Sequence, residues 1–310
     1  MAREKETLKL RLVRAWMRWH GRLPLGYHRA CGRVLGWLIG SVMGYRKQVV
    51  TRNLTRCFPE KPAPEIARIR KQFYRHLATV LTETVWFGAC RGPKGRKRLH
   101  DSHIVEIDNP EVLNDLYAGA RQIMILQSHT GNWELIGGIR EYSYGPELTI
   151  TPEAFAVTYL WLHSPLWQTL MEENRTAPVA DQGFQGYVEA GTVMRYVLER
   201  RDRKFGYSFI TDQYPYNDYH KPVVFMGYPT LMMTGAASLA CKLDMAVVYL
   251  RFECRPEGGY RMHFVPLAEH AGGQDPEQLM KKYFTLLEED LAKQPWNYLW
   301  THKRWKDDAV

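Results

Sequence analysis

A chain of 310 residues, 45% hydrophobic and 24% charged, is long enough to bury a sizeable core, as one large domain or two small ones. Its net charge of +9 is unevenly spread: residues 1–58 hold thirteen Lys and Arg against Glu4 and Glu6, and the remainder holds 29 basic and 31 acidic side chains. Five scattered cysteines (Cys31, Cys57, Cys90, Cys241, Cys254), odd in number and without a C-x-x-C pair, argue against a disulfide framework or a zinc site and suit a reducing compartment.

Leu8, Leu12, Ala15, Trp16 and Trp19 recur at helical spacing with Lys9, Arg11, Arg14, Arg18 and Arg22 between them. An apolar run from Val34 to Gly44 follows Arg33. A spanning helix needs roughly 20 apolar residues, so this run reads as a shallowly inserted or buried helix. It starts late and is followed by no small-residue cleavage site, so no signal peptide is expected. The aromatic load, ten Trp and eighteen Tyr, suits a membrane interface as well as a core. Residues 1–60 are therefore expected to be a basic amphipathic region that seeks an anionic membrane surface. A solvated basic helix packed on its own domain is the alternative. No nucleic-acid motif accompanies the charge, and no nucleic-acid partner is expected.

Residues 61–310 read as a single α/β domain. An amphipathic helix over 64–87 places Ile66, Ile69, Phe73, Leu77, Val80 and Leu81 at steps of three and four, and a loop rich in Gly, Lys and Arg follows from Arg91 to Arg98. Strands are expected at 104–107, 122–127, 154–159, 205–210, 246–252 and 260–265, with helices near 111–119, 133–142, 165–173, 187–200, 234–242 and 276–292. Such alternation predicts a mixed, largely parallel sheet flanked by helices.

The most informative stretch is Gln127-Ser128-His129-Thr130-Gly131-Asn132-Trp133-Glu134, directly after the apolar run Ile123-Met124-Ile125-Leu126. A strand ends there and the chain turns, which is where ligands collect in open α/β sheets. A histidine can take a proton from a hydroxyl, and a carboxylate can fix its tautomer and stabilise the imidazolium. On a regular helix residues five apart diverge by about 140°, so His129 and Glu134 meet only if the first lies in the turn and the second in the first helical turn. Gly131 and Asn132 permit that entry. Asn132 is equally explained as a helix N-cap. The remaining histidines show no metal-ligand spacing, so no catalytic metal and no cofactor are expected.

The string His129 to Glu134 resembles the H-x4-D/E motif of the lysophospholipid acyltransferase superfamily, specifically the late acyltransferases of bacterial lipid A biosynthesis. The likeness continues in Asn53-Leu54-Thr55-Arg56-Cys57-Phe58-Pro59-Glu60, in Asp212-Gln213, in Thr234-Gly235, and in Tyr298-Leu299-Trp300-Thr301-His302-Lys303-Arg304-Trp305-Lys306. The resemblance implies a membrane-associated O-acyltransferase at the cytoplasmic face of the inner membrane. It would move an acyl chain from an acyl carrier protein thioester, or acyl-CoA, to a hydroxyl of a lipid A precursor or related glycolipid.

In that reading His129 is the general base, Glu134 orients it, and Arg175 donates to the oxyanion. Asn132, Asp212, Gln213, Thr234 and Gly235 line or support the substrate site, and His302 and Arg304 meet an anionic head group. Each has a plainer explanation as well: a surface ion pair for Arg175, turn caps for Asp212 and Thr234, surface packing for His302 and Arg304. The sequence departs from the family at Tyr159-Leu160-Trp161, where a basic residue after the Tyr is common, and in the shortness of its apolar N-terminal run. Another acceptor lipid, or a membrane-surface lipid-binding protein without turnover, are the alternatives.

Overall fold

The run Ile123-Met124-Ile125-Leu126 is apolar at every position because the strand it forms is buried on both faces. Ile123 and Ile125 enter one apolar cluster and Met124 and Leu126 the other, as the two-residue alternation of a strand requires. This strand is central in a computed structural model that describes residues 7–215 and 220–305. The first residues of the basic N-terminal region and Lys306 of the closing motif lie outside the described residues.

The chain opens with α1 (Leu8–His20), α2 (Leu25–Trp37), α3 (Lys47–Cys57), α4 (Ala63–Phe87) and α5 (Gly92–Asp101). There follow β1 (Val105–Ile107), α6 (Pro110–Gly119), β2 (Gln122–Gln127), a 3₁₀ segment Trp133–Tyr142, β3 (Phe155–Tyr159) and α7 (Pro165–Arg175). The second half holds β4 (Tyr187–Glu189), α8 (Val193–Leu198), β5 (Phe205–Ile210), β6 (His220–Phe225), β7 (Tyr228–Met233) and α9 (Gly235–Lys242). It closes with β8 (Ala246–Cys254), β9 (Tyr260–Ala268) and α10 (Pro276–Lys293).

Seven strands form one sheet in the order β1-β9-β8-β2-β5-β3-β4, and β6 and β7 form a separate hairpin. All pairings in the sheet are parallel except β8 with β9, so it is mixed and largely parallel, as the sequence predicts. Helices α9 and α10, with parts of α3 and α4, cover one face through residues such as Leu54, Phe73, Leu239 and Phe284. Leu99 of α5 and Leu113 and Leu116 of α6 cover the other.

Three local expectations differ from the structure. The segment after Arg91 is helical rather than a loop. Gly92, at φ +64°, only starts it, Pro93 sits in its first turn, and Leu99 is buried among the residues packed on that side of the sheet. Residues 187–200 are not one helix: Tyr187–Glu189 pair with β3 as an edge strand before α8 begins. The segment from Trp133 to Tyr142 is a 3₁₀ helix, since Gly138 is held against Leu99 and the Tyr142 hydroxyl donates back to the Leu135 carbonyl.

Gly36 of the N-terminal apolar run and Gly32 just before it also have a packing reason. A Cβ at Gly36 would stand 2.8 Å from Arg75 Cα and the Tyr74 carbonyl oxygen, and one at Gly32 would stand 2.9 Å from Thr82 Oγ1. One turn apart, the two let the α2 backbone lie directly on α4. The other side of α2 carries Val34 and Trp37 to the surface. Among the described residues no helix is long and apolar enough to cross a membrane.

Candidate active site

β2 and β5 are parallel neighbours whose last residues, Gln127 and Ile210, are opposite each other. Each strand is followed by one more residue before the chain turns, so His129 and Asp212 leave the same sheet edge side by side. His129 Nδ1 lies 2.8 Å from Asp212 Oδ1, which also accepts the His129 backbone N–H at 3.2 Å. The carboxylate accepts, so Nδ1 carries the proton and Nε2 is left as the basic nitrogen. Gln213 Nε2 stands 3.3 Å from it. His129 is 16% exposed and Asp212 is 1% exposed, so the imidazole is partly buried and its carboxylate partner lies in the interior. Burial would raise the Asp212 carboxyl, but the neighbouring His129 imidazole outweighs it and holds the group below its ordinary value.

The turn between His129 and Glu134 is tightly held. Gly131 has φ +58°, its N–H donates to Asn297 Oδ1 at 2.6 Å, and a Cβ there would stand 2.5 Å from the Phe252 ring. Ser128 and Thr130 hydroxyls meet at 2.8 Å. Asn132 occupies the N-cap position of the 3₁₀ segment, but its side chain makes no capping bond. It is fully buried and donates instead to Glu83 Oε2 at 3.0 Å.

Among the described residues Glu134 makes no hydrogen bond to His129, although the imidazole is near enough to help hold its carboxyl down. Its two oxygens accept Arg175 Nε at 2.5 Å and Nη2 at 2.8 Å, a two-point pair, and Trp133 Nε1 donates to Oε1 at 3.0 Å. The Trp133 ring stands edge-on to His129 with centroids 5.1 Å apart, so the two ion pairs are separated by one aromatic ring. Burial would raise the Glu134 carboxyl, but the Arg175 guanidinium outweighs it and holds the group below its usual range. Desolvation works against the Arg175 charge, and Glu134 more than offsets it. Arg175 Nη1 also donates to the Tyr187 hydroxyl at 2.8 Å, and the Tyr187 ring stacks on Tyr159 at 4.0 Å. Tyr187 borders a cleft of about 530 Å³ lined also by Arg91, Thr169, Glu172 and Phe184.

His302 approaches the same edge from the C-terminal segment. Its Nε2 accepts the Tyr214 backbone N–H at 3.2 Å, and burial pushes its pKa down to about 4 despite the nearby Asp212. Asn53 Nδ2 donates to the carbonyls of Trp300 and His302, each at 2.9 Å, so two distant sequence motifs meet in one joint. Tyr298 donates to the Asp212 carbonyl oxygen at 3.4 Å.

Arg304 belongs to the interior instead of facing a head group. It is 1% exposed, lies over the Phe225 and Phe284 rings, and bonds Thr230. Thr234 and Gly235 begin α9, whose Ala236 and Ala237 are buried; among the described residues neither makes a hydrogen bond to the His129–Asp212 pair. Sequence reasoning missed Glu83, Tyr187 and Asn297. The one available signal was that buried carboxyl and amide groups need partners.

The profile of the family described as bacterial lipid A biosynthesis acyltransferase matches residues 4–164 and 200–307. The chain is 22% identical over 311 aligned positions to the lipid A biosynthesis palmitoleoyltransferase of Escherichia coli (strain K12), covering 96% of this chain and 93% of that one. It matches the lipid A biosynthesis acyltransferase of Shigella flexneri with the same identity and coverage.

Proposed function

The chain belongs to the bacterial lipid A biosynthesis acyltransferase family, and on that premise we propose that it transfers a fatty acyl chain from an acyl thioester to a hydroxyl of a lipid A precursor or related glycolipid. The observation that carries the reading is the His129–Asp212 pair at the end of two parallel strands, with Nε2 of the imidazole left as the basic nitrogen beside Gln213.

His129 Nε2 takes the proton of the acceptor hydroxyl as its oxygen attacks the thioester carbonyl. Asp212 holds the tautomer and balances the imidazolium. The tetrahedral oxyanion collapses, the C–S bond breaks, and the thiolate takes the proton back from His129, leaving an ester and a free thiol. General-base assistance of this kind is worth about 10²–10⁴-fold. Arg175 is our candidate for charge stabilisation of the oxyanion. Glu134 and Tyr187 use three of its five N–H donors and fix its plane, leaving two to donate.

Acyl carrier protein, an acidic partner by the resemblance, is the proposed donor, and acyl-CoA is the alternative. The protein would work at the cytoplasmic face of the inner membrane. Leu8, Leu12, Trp16 and Trp19 form an exposed apolar stripe on α1, and Val34, Trp37, Val42 and Met43 extend it on α2 and the turn beyond. Lys9, Arg11, Arg18 and Arg33 lie among them, an arrangement that suits an anionic leaflet. A different acceptor is favoured by one observation: where the family commonly has a basic residue after the Tyr of this strand end, the chain has the exposed Leu160, next to Tyr159, whose ring stacks on Tyr187.

Mass spectrometry of total lipids from cells with and without the gene, complemented with the native sequence or with His129→Ala, tests the reading. A lipid one acyl chain lighter, restored only by the native sequence, supports it and names the acceptor. An unchanged lipid profile in a strain without a redundant enzyme contradicts it.

A further inference from the structure

Glu83, near the C-terminal end of α4, is 1% exposed and accepts from three different parts of the chain. Arg29 Nε of α2 donates to Oε1 at 2.9 Å. The Tyr260 hydroxyl of β9 donates to Oε2 at 2.7 Å and Asn132 Nδ2 donates to the same oxygen at 3.0 Å. Asn132 Oδ1 is buried and has no partner among the described residues, so the bond to Glu83 is what orients this side chain. Asn132 sits inside the six residues that must send His129 to Asp212 and Glu134 to Arg175. The backbone of that turn is held at Gly131 by Asn297, and its side-chain anchor toward the helices is Glu83.

We propose that Glu83 is a positioning residue for acyl transfer. Its buried carboxyl fixes Asn132, and with it the His129-bearing turn, and its pairing with Arg29 ties that turn to the seating of α2. The inference rests on His129 acting as the base. The coupling has a physical route, because α2 lies on α4 through Gly32 and Gly36 and turns Val34 and Trp37 outward. A shift of α2 along α4 moves Arg29 relative to Glu83, and an unpaired buried carboxyl cannot keep its other partners in place at no cost.

The test measures thiol release from an acyl carrier protein thioester, with a lipid A precursor in detergent micelles, by the full chain and its variants. Glu83→Leu and Asn132→Leu should each lower kcat by about 10-fold or more while the donor KM moves by less than about 3-fold, the pattern of lost transition-state geometry. The double variant Glu83→Leu/Asn132→Leu should lose no more than Glu83→Leu alone, since the second change removes a bond that the first has already broken. Glu83→Gln keeps an acceptor for Asn132 and should recover part of the rate. Losses that multiply in the double variant, or a native kcat for folded Glu83→Leu, overturn the positioning role. If Glu83→Leu does not fold, native kcat in Asn132→Leu overturns it alone. His129→Ala, run alongside, separates the two ideas. An inactive His129→Ala beside a native-like Glu83→Leu removes only the role of Glu83, whereas an active His129→Ala removes the base assignment and this inference with it.

Discussion

His129 faces Asp212 and Glu134 faces Arg175, so the histidine and the carboxylate of the motif each have a separate partner. Glu134→Gln is expected to cost roughly 3 kcal/mol, because it leaves a largely desolvated guanidinium with half its pair; chemical denaturation measures that, and the transfer rate should fall with it. The sequence placed Asp212 at the correct sheet edge but not on His129, since that contact requires β2 and β5 to be adjacent, which strand spacing does not state. Asn132 and Arg304 were legible as polar groups near motifs, yet both are buried, because their partners Glu83 and Thr230 lie far off in sequence. His302 supports a pH prediction. Its folded pKa is about 4 against an ordinary 6.5, so between those values the unfolded chain binds a proton that the native one does not. Its contribution is complete above pH about 6.5 and is lost as pH falls toward about 4. Thermal melts across that window should show a shallower decline for His302→Asn than for the native chain.

The regular strands β2 and β5 were readable to the residue, and β8 and β9 nearly so, because long apolar runs bounded by turns admit few alternatives. Elements that depend on a neighbour were not. β4 has three residues and exists by pairing with β3, and α5 is a helix whose glycines suggest a loop until Leu99 is seen buried. The glycines of α2 are the strongest case: the apolar run that holds Gly36 reads as a shallowly inserted or a buried helix, and in the structure Gly32 and Gly36 are contact points on α4. Gly36→Leu should therefore destabilise the fold by about 1–3 kcal/mol through overpacking. A fall in the urea midpoint without a change in slope is the expected result, and an unchanged midpoint would argue that α2 is free of α4.

Taken whole, the molecule sets exposed apolar side chains of α1 and α2 and its excess of positive charge in one N-terminal region, and the sheet edge that carries His129 is tied to that region through Asn53, Glu83 and Arg29. Sequence periodicity gave the stripe correctly, since Leu8, Leu12, Trp16 and Trp19 are all exposed. Replacing Trp16, Trp19 and Trp37 together by Glu should move the protein from membrane to soluble fractions with its melting temperature little changed. High salt should release part of the native protein, each basic residue near an anionic leaflet contributing about 1 kcal/mol. Retention of the triple variant on membranes would place the attachment elsewhere.

Asp212 serving His129 is the centre of the proposed mechanism. The direct measurement is single-turnover acyl transfer by folded Asp212→Asn, which keeps the shape and removes the charge. A fall of about 10²-fold or more with donor affinity retained is the result expected. Transfer within about twofold of the native rate would contradict the assignment of the base and its partner.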